Sequence, residues 1–185
     1  MQSVQQKSMT SGEGGTLIAF AVLAFASLII AAQAHTPEYA FHAYLFCAGS
    51  IATVFAIGNR YFDRPAKLPP HEIDGRPNYN MGPVKFATIA AVFWGIAGFA
   101  AGLYAALELA FPALNFDLPW LSFGRIRPLH TSAVIFAFGG NVLVGTSFYV
   151  VQRTCRARLA GDISPWFVVL GYNFFIVIAL SLIHI

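Results

Sequence analysis

Charge is what this chain has least of. Asp, Glu, Lys and Arg make up only 10% of its 185 residues, hydrophobic types make up 57%, and the mean hydropathy is +0.65. That balance excludes an ordinary soluble domain. Cysteine is nearly as scarce. Cys47 falls in an apolar run and Cys155 in a basic loop, which excludes a disulfide framework and leaves both as expected free thiols. Neither belongs to a Cys-x-x-Cys-His motif, so covalent haem attachment is excluded as well. No His-Glu-x-x-His follows from His71-Glu72, which reads as part of a solvated loop. The first apolar run, 16–33, lacks a small-residue cleavage site with a basic start close to it, so a retained helix is expected rather than a signal peptide, with an uncleaved signal-like anchor as the alternative. The formal charge of +3 and pI near 9.0 are carried by short loops between apolar runs rather than by one patch. Nucleic acid is therefore excluded as a partner.

What the chain does have is apolar runs long enough to cross a bilayer. They cover 16–33, 39–58, 86–111 and 129–152, and a fifth begins at 165–182, predicting an all-α membrane protein of about five transmembrane helices. The polar stretch 59–85 carries Arg60, Arg64, Lys67, Arg76 and Lys85, together with Pro65, Pro69, Pro70 and Pro77. Its prolines predict an extended loop, and its cations place it in the cytoplasm. Arg153, Arg156 and Arg158 place the end of the fourth helix on the same side. The amino terminus is then cytoplasmic, with outer loops at 34–38 and 111–128. The organisation expected is a cytoplasmic tail over 1–15, a transmembrane hairpin over 16–58, a cytoplasmic loop over 59–85 and a further membrane domain over 86–185. Gly98-x-x-x-Gly102, with Gly95 near the same face, predicts close helix approach. Glu108 is expected to reach the outer interface with no catalytic role; a proton path is the minor alternative.

The chain is organised around 115–158, whose centre reads Phe123-Gly124-Arg125-Ile126-Arg127-Pro128-Leu129-His130-Thr131. Pro128 is expected in the first helical turn, where its missing N–H has no intrahelical partner. Arg125 and Arg127 sit at the positive end of the helix dipole and on the side of the membrane that should hold few cations, so an anion is expected beside them. His130 lies about one turn inside, sharing a face with Ala137, Asn141, Gly145 and Phe148. Its chemistry leaves two readings open: an interfacial histidine bonded to a neighbouring helix or headgroup, and a metal or haem ligand. Arginines one turn outward would suit haem propionates. Gly139-Gly140 admits a macrocycle or, more commonly, another helix. His35 and His42 lack a second ligand at helical spacing and are assigned interfacial roles.

The run Leu114-Asn115-Phe116-Asp117-Leu118-Pro119-Trp120, the arginine–histidine stretch from Ser122 to Thr131, Phe136-Ala137-Phe138-Gly139-Gly140 and Ser147-Phe148-Tyr149-Val150-Val151-Gln152-Arg153-Thr154-Cys155 closely resemble the catalytic subunit I of cbb3-type cytochrome c oxidases, a branch of the haem–copper oxidase superfamily. The likeness extends back through Gly75-Arg76-Pro77-Asn78-Tyr79-Asn80-Met81-Gly82-Pro83 and forward through Ala160-Gly161-Asp162, Pro165-Trp166-Phe167-Val168-Val169 and Gly171-Tyr172-Asn173-Phe174-Phe175.

The resemblance implies that His130 is an axial ligand of a low-spin haem b and that Arg125 or Arg127 meets its propionates. It implies electrons from a c-type cytochrome, reduction of O₂ to water with proton pumping, c-type cytochrome subunits as partners and a bacterial inner-membrane location. The high-spin haem b3 and Cu(B) would be held by ligands downstream of the matched segments. No catalytic residue is assigned here, and residues 179–185, which include His184, depart from the family pattern. The chain is expected to be a truncated front part of the subunit, inactive alone. Three alternatives stand beside this reading: a nitric oxide reductase-like large subunit, a non-catalytic membrane haem-binding fragment or helix-packing module, and a cytochrome b-like carrier with His42 opposite His130.

Overall fold

A computed structural model describes residue 9 and residues 11–63, 69–159 and 163–182. Arg64, Lys67, Asp162 and His184 lie outside the described residues. The described chain divides between Pro69 and Pro70 into two compact units.

The first unit is a helical hairpin. Helix α1 (Ser11–Ala32) and helix α2 (Pro37–Asp63) are joined by the turn around His35. Ala24, Ser27 and Ala31 of α1 are buried, as are Ala43, Cys47 and Ser50 of α2. All are small, and their spacing of three and four residues puts them on one face of each helix. Ile18, Phe25 and Phe55 point outward, between 64% and 67% exposed. Small residues inside and large apolar ones outside is the reverse of a soluble protein, and it suits helices that pack by close backbone approach in a hydrocarbon solvent.

The second unit begins with a feature absent from the sequence-based expectation. Within the proline-rich loop, strands β1 (Glu72–Ile73) and β2 (Arg76–Pro77) pair antiparallel. Asp74 and Gly75 form the turn at φ 52° and 71°, the positive-φ pair that an Asp-Gly hairpin turn requires. Asn78 closes the base of the hairpin, its backbone N–H donating to the His71 carbonyl at 2.8 Å and its side chain to the Pro70 carbonyl at 2.9 Å.

Helix α3 (Gly82–Ala110) follows, with Pro83 in its first turn. Two short 3₁₀ turns, Pro112–Leu114 and Pro119–Leu121, shape the next loop. The chain then runs through one long helical segment: helix α4 (Phe123–Ser132), a π-helical stretch (Ala133–Gly139) and helix α5 (Gly140–Cys155). Arg156 ends it in the left-handed conformation, φ 48° and ψ 39°, and the Ala157 N–H returns to the Gln152 carbonyl. Helix α6 (Ser164–Leu182) returns along the bundle. Among the described residues five segments are thus long and apolar enough to cross a membrane, as the run lengths predict.

The core of this unit is Ala133, Ala137, Ile176 and Leu180, covered by Trp94, Leu129 and Tyr172. At the basic end of the bundle the fully buried Gln152 clamps three segments together. Its Oε1 accepts from the Asn80 N–H at 2.6 Å and the Leu159 N–H at 3.3 Å, and its Nε2 donates to the Asn80 and Phe148 carbonyls, each at 3.2 Å.

Candidate functional site

The histidine singled out by the sequence is seated by glycines. Residues of α3 at positions 95, 98 and 102 face the long helix. A Cβ at Gly95 would lie 3.2 Å from the Phe138 ring, and one at Gly98 2.9 Å from Val134 Cγ2. At Gly102 it would lie 2.5 Å from His130 Cε1 and 2.6 Å from Nδ1. The close approach expected of Gly98 and Gly102 is therefore present, and its occupant at Gly102 is the imidazole itself. His130 Nδ1 lies 2.7 Å from the Gly98 carbonyl oxygen. Since a carbonyl only accepts, Nδ1 carries the proton, and in the neutral ring Nε2 is left with its lone pair. Among the described residues Nε2 has no hydrogen-bond partner.

The start of the helix differs from the expectation at Pro128. It begins at Phe123, so Pro128 lies inside α4 rather than in its first turn. The ring removes the donor for the carbonyl four residues back, which belongs to Gly124. That residue is exposed and has open space around it, so its carbonyl is near water rather than buried. Ser122 precedes the helix, its carbonyl accepting from the Arg125 and Ile126 N–H groups and its hydroxyl donating to Pro119. Arg125 is the third helical residue and half-buried, while Arg127 is exposed and three residues before His130, hence beside it on the helix surface.

Beyond His130 the chain turns π-helical. Ala133, Ala137, Asn141 and Gly145 are all buried, three steps of four residues in a seam where packed helices average about 3.5. A π segment absorbs the surplus residue. The face shared by His130, Ala137, Asn141 and Gly145 is as the spacing predicts, with Phe148 half-buried at its edge. Tyr172 of α6 supports the π segment, its hydroxyl donating to the Phe136 carbonyl at 2.7 Å. Gly140 is what makes room, because a Cβ there would collide with that hydroxyl. Gly140 thus serves helix packing, while a Cβ at Gly139 would meet only the Val134 carbonyl of its own segment, at 3.5 Å. One turn further, Asn141 and Asn173 bond reciprocally at 2.7 and 3.1 Å, and Trp94 Nε1 donates to Asn173 Oδ1 at 2.9 Å. The remaining amide protons reach Ala137 and Val169 carbonyls, so the network is internally satisfied.

A family model, Cytochrome C and Quinol oxidase polypeptide I, matches residues 82–185, which hold the whole of this arrangement. The chain belongs to that family. It is 73% identical over 173 residues to the cytochrome c oxidase subunit 1 homolog of Azorhizobium caulinodans, covering 94% of this chain and 31% of that protein. It is 68% identical over 173 residues to the bacteroid homolog of Bradyrhizobium diazoefficiens, covering 94% and 32%. Against the cbb3-type cytochrome c oxidase subunit CcoN1 of Stutzerimonas stutzeri the figures are 50% over 101 residues, 55% and 21%. The resemblance to cbb3-type subunit I is borne out. The chain spans about a third of the length of the first two of these relatives.

A haem-binding member of this family needs an axial imidazole whose metal-facing nitrogen is unprotonated, and the His130 seat fits that need. Among the described residues no group of three or more His, Cys, Asp and Glu stands together as a metal cage. His42 Nδ1 lies 2.8 Å from the Glu38 carbonyl within its own helix, and His35 and His71 are exposed. Cys47 is buried and Cys155 exposed, both free.

Glu108 departs from the expectation. It is 6% exposed, and among the described residues neither carboxylate oxygen has a hydrogen-bond partner. Its place on the packed face of α3, three residues on from the buried Ala105, turns it inward rather than toward headgroup water. Tyr104, one turn before it, donates to the Leu114 carbonyl at 3.0 Å and ties the loop to the helix. Sequence reading missed Trp94, Tyr172, Asn173 and Gln152 as partners. Each is a polar-tipped residue within an apolar run, which was the available signal.

Proposed function

We propose that this chain is the front part of the catalytic subunit of a cbb3-type terminal oxidase, with His130 as an axial ligand of a low-spin haem b. The observation that carries the reading is the His130 seat. A ring anchored through Nδ1 to a main-chain carbonyl has one tautomer and one orientation, which is how proteins present Nε2 to a metal. The haem supplies one-electron transfer when bound. The chain's own residues would hold it: His130 would bind the iron, and a cation would offset the propionates. Arg127 is the better placed of the two arginines, because it neighbours His130 at three residues' spacing, and Arg125 stands on the next turn. Positive charge there would favour the reduced haem and raise its potential.

In the full-length subunit this haem would supply electron relay from c-type cytochrome subunits, while the high-spin haem b3 and Cu(B), and with them the reduction of O₂ to water and proton pumping, would belong to segments downstream of those matched here. The location is the bacterial inner membrane, with the amino terminus cytoplasmic, supported by cations at Lys85, Arg153, Arg156 and Arg158 on one side of the helices. The test is His130→Ala in the full-length subunit purified in its complex. Loss of the low-spin haem absorption with retained protein is expected; an unchanged spectrum refutes the ligand assignment.

A further inference from the structure

The π segment Ala133–Gly139 is held from two sides. Toward α3, a Cβ at Gly98 would lie 2.9 Å from Val134 Cγ2 and 3.3 Å from Ala133 Cβ, and one at Gly95 3.2 Å from the Phe138 ring. Toward α6, the Tyr172 hydroxyl donates at 2.7 Å to the carbonyl of Phe136, the middle residue of the segment, through the gap left by Gly140. Gly98 is used twice. It carries the first residues of the π segment, and its carbonyl accepts from His130 Nδ1 at 2.7 Å. The tyrosine ring lies against the core residues Ala133, Ala137, Ile176 and Leu180, so a phenylalanine would fill the same space. What the hydroxyl adds is its grip on the Phe136 carbonyl.

We propose that Tyr172 is a positioning residue for the haem-ligand site, setting through the π segment and Gly98 the strength of the bond from His130 Nδ1 to the Gly98 carbonyl. The proposal rests on the reading of His130 as an axial ligand. π turns are uncommon inside α-helices and recur at functional sites, and this one begins at Ala133, one turn after the histidine. Pinned to α3 alone, the segment would be free to shift along it, and Ala133 and Val134 would no longer fix the Gly98 peptide against the imidazole. An imidazole whose N–H is held by an acceptor donates more strongly through its other nitrogen, which favours an oxidised metal. A looser bond favours the reduced one. Loss of the hydroxyl would therefore raise the potential of the haem without removing His130.

The test is a spectroelectrochemical titration of the low-spin haem in the full-length subunit purified in its complex. Tyr172→Phe should keep that haem and speed amide hydrogen exchange over residues 133–140. At the wild-type midpoint it should raise the ratio of reduced to oxidised haem by up to about fivefold, the shift that one hydrogen bond's typical net worth gives an equilibrium. Gln152→Leu, which strips bonds from the other end of the same long helix, should leave that ratio unchanged. A wild-type ratio in Tyr172→Phe overturns the proposal. So does an equal shift in Gln152→Leu, which would mean general loosening, or loss of the haem from Tyr172→Phe, which would mean that the hydroxyl holds the fold rather than tunes the ligand. His130→Ala reports separately: low-spin absorption retained there refutes the ligand reading itself, whereas absorption lost there beside a wild-type ratio in Tyr172→Phe refutes the positioning role alone.

Discussion

Replacing Gly102 by alanine tests the His130 seat with a single methyl group. The added Cβ would stand 2.5 Å from Cε1, 2.6 Å from Nδ1 and 3.1 Å from Cγ of the imidazole. Carbon contacts are comfortable near 3.5 Å, so the ring must withdraw from α3 by about 1 Å. The same withdrawal stretches the 2.7 Å contact with the Gly98 carbonyl to roughly 3.6 Å, where it is no longer a hydrogen bond. Overpacking of this kind costs about 1–3 kcal/mol, and the lost bond adds about 1 kcal/mol net. The ring then has neither a fixed tautomer nor a fixed direction, and a metal ligand must be held to within about 0.5 Å. In the full-length complex, Gly102→Ala should lose most of its low-spin haem absorption per protein and inactivate at lower temperature. Gly124→Ala is the companion variant. Nothing lies within 4 Å of a Cβ there, and helix propensity favours alanine by up to about 1 kcal/mol. A Gly102→Ala protein with wild-type haem absorption and wild-type thermal inactivation refutes the seat.

Two further predictions concern the polar pairs. Gln152→Leu keeps the volume but strips partners from the backbone of Asn80 on both its N–H and its carbonyl; about 1–3 kcal/mol per orphaned group is expected. Thermal inactivation of the variant complex, falling together with faster hydrogen exchange at residues 78–81, checks it. Asn141→Leu alone leaves Asn173 with an unmet donor and should destabilise by about 2 kcal/mol, while the Asn141→Leu, Asn173→Leu double variant should recover part of that loss; additive losses would show that the pair does not act as a unit.

The five crossings were legible because a membrane helix announces itself by composition and length alone: its backbone is satisfied internally and its side chains must suit hydrocarbon. The glycines of α3 were legible as a contact face for the same reason, since small residues at spacing of three and four have few other uses there. What faces them was not. Nothing in the local sequence says that His130, rather than a leucine, enters the notch at Gly102, because that depends on the register between two helices. The start of α4 was misplaced by about five residues, as proline is a good helix opener but is also tolerated further in when the carbonyl it orphans stays near water, as at Gly124. The Asp74-Gly75 turn was readable and was passed over, because the prolines around it argued for an open loop. The Asn141–Asn173 pair and the Gln152 clamp are long-range matches, up to 72 residues apart, and only the fold brings them together.

The π segment makes the length of the long helix an angular quantity. His130 before it and Gln152 after it must each meet their own partners: a notch in α3 near one membrane face, and the Asn80 backbone near the other. If all 7 residues of Ala133–Gly139 relaxed to ordinary α geometry, the surplus residue would no longer be absorbed. Everything beyond it would then turn by about 100°. Either the histidine would leave its notch or the glutamine would leave its clamp. The stretch thus works as an angular coupling between the two ends of the helix, and its hydrogen-bonding tyrosine on α6 is what keeps that coupling set.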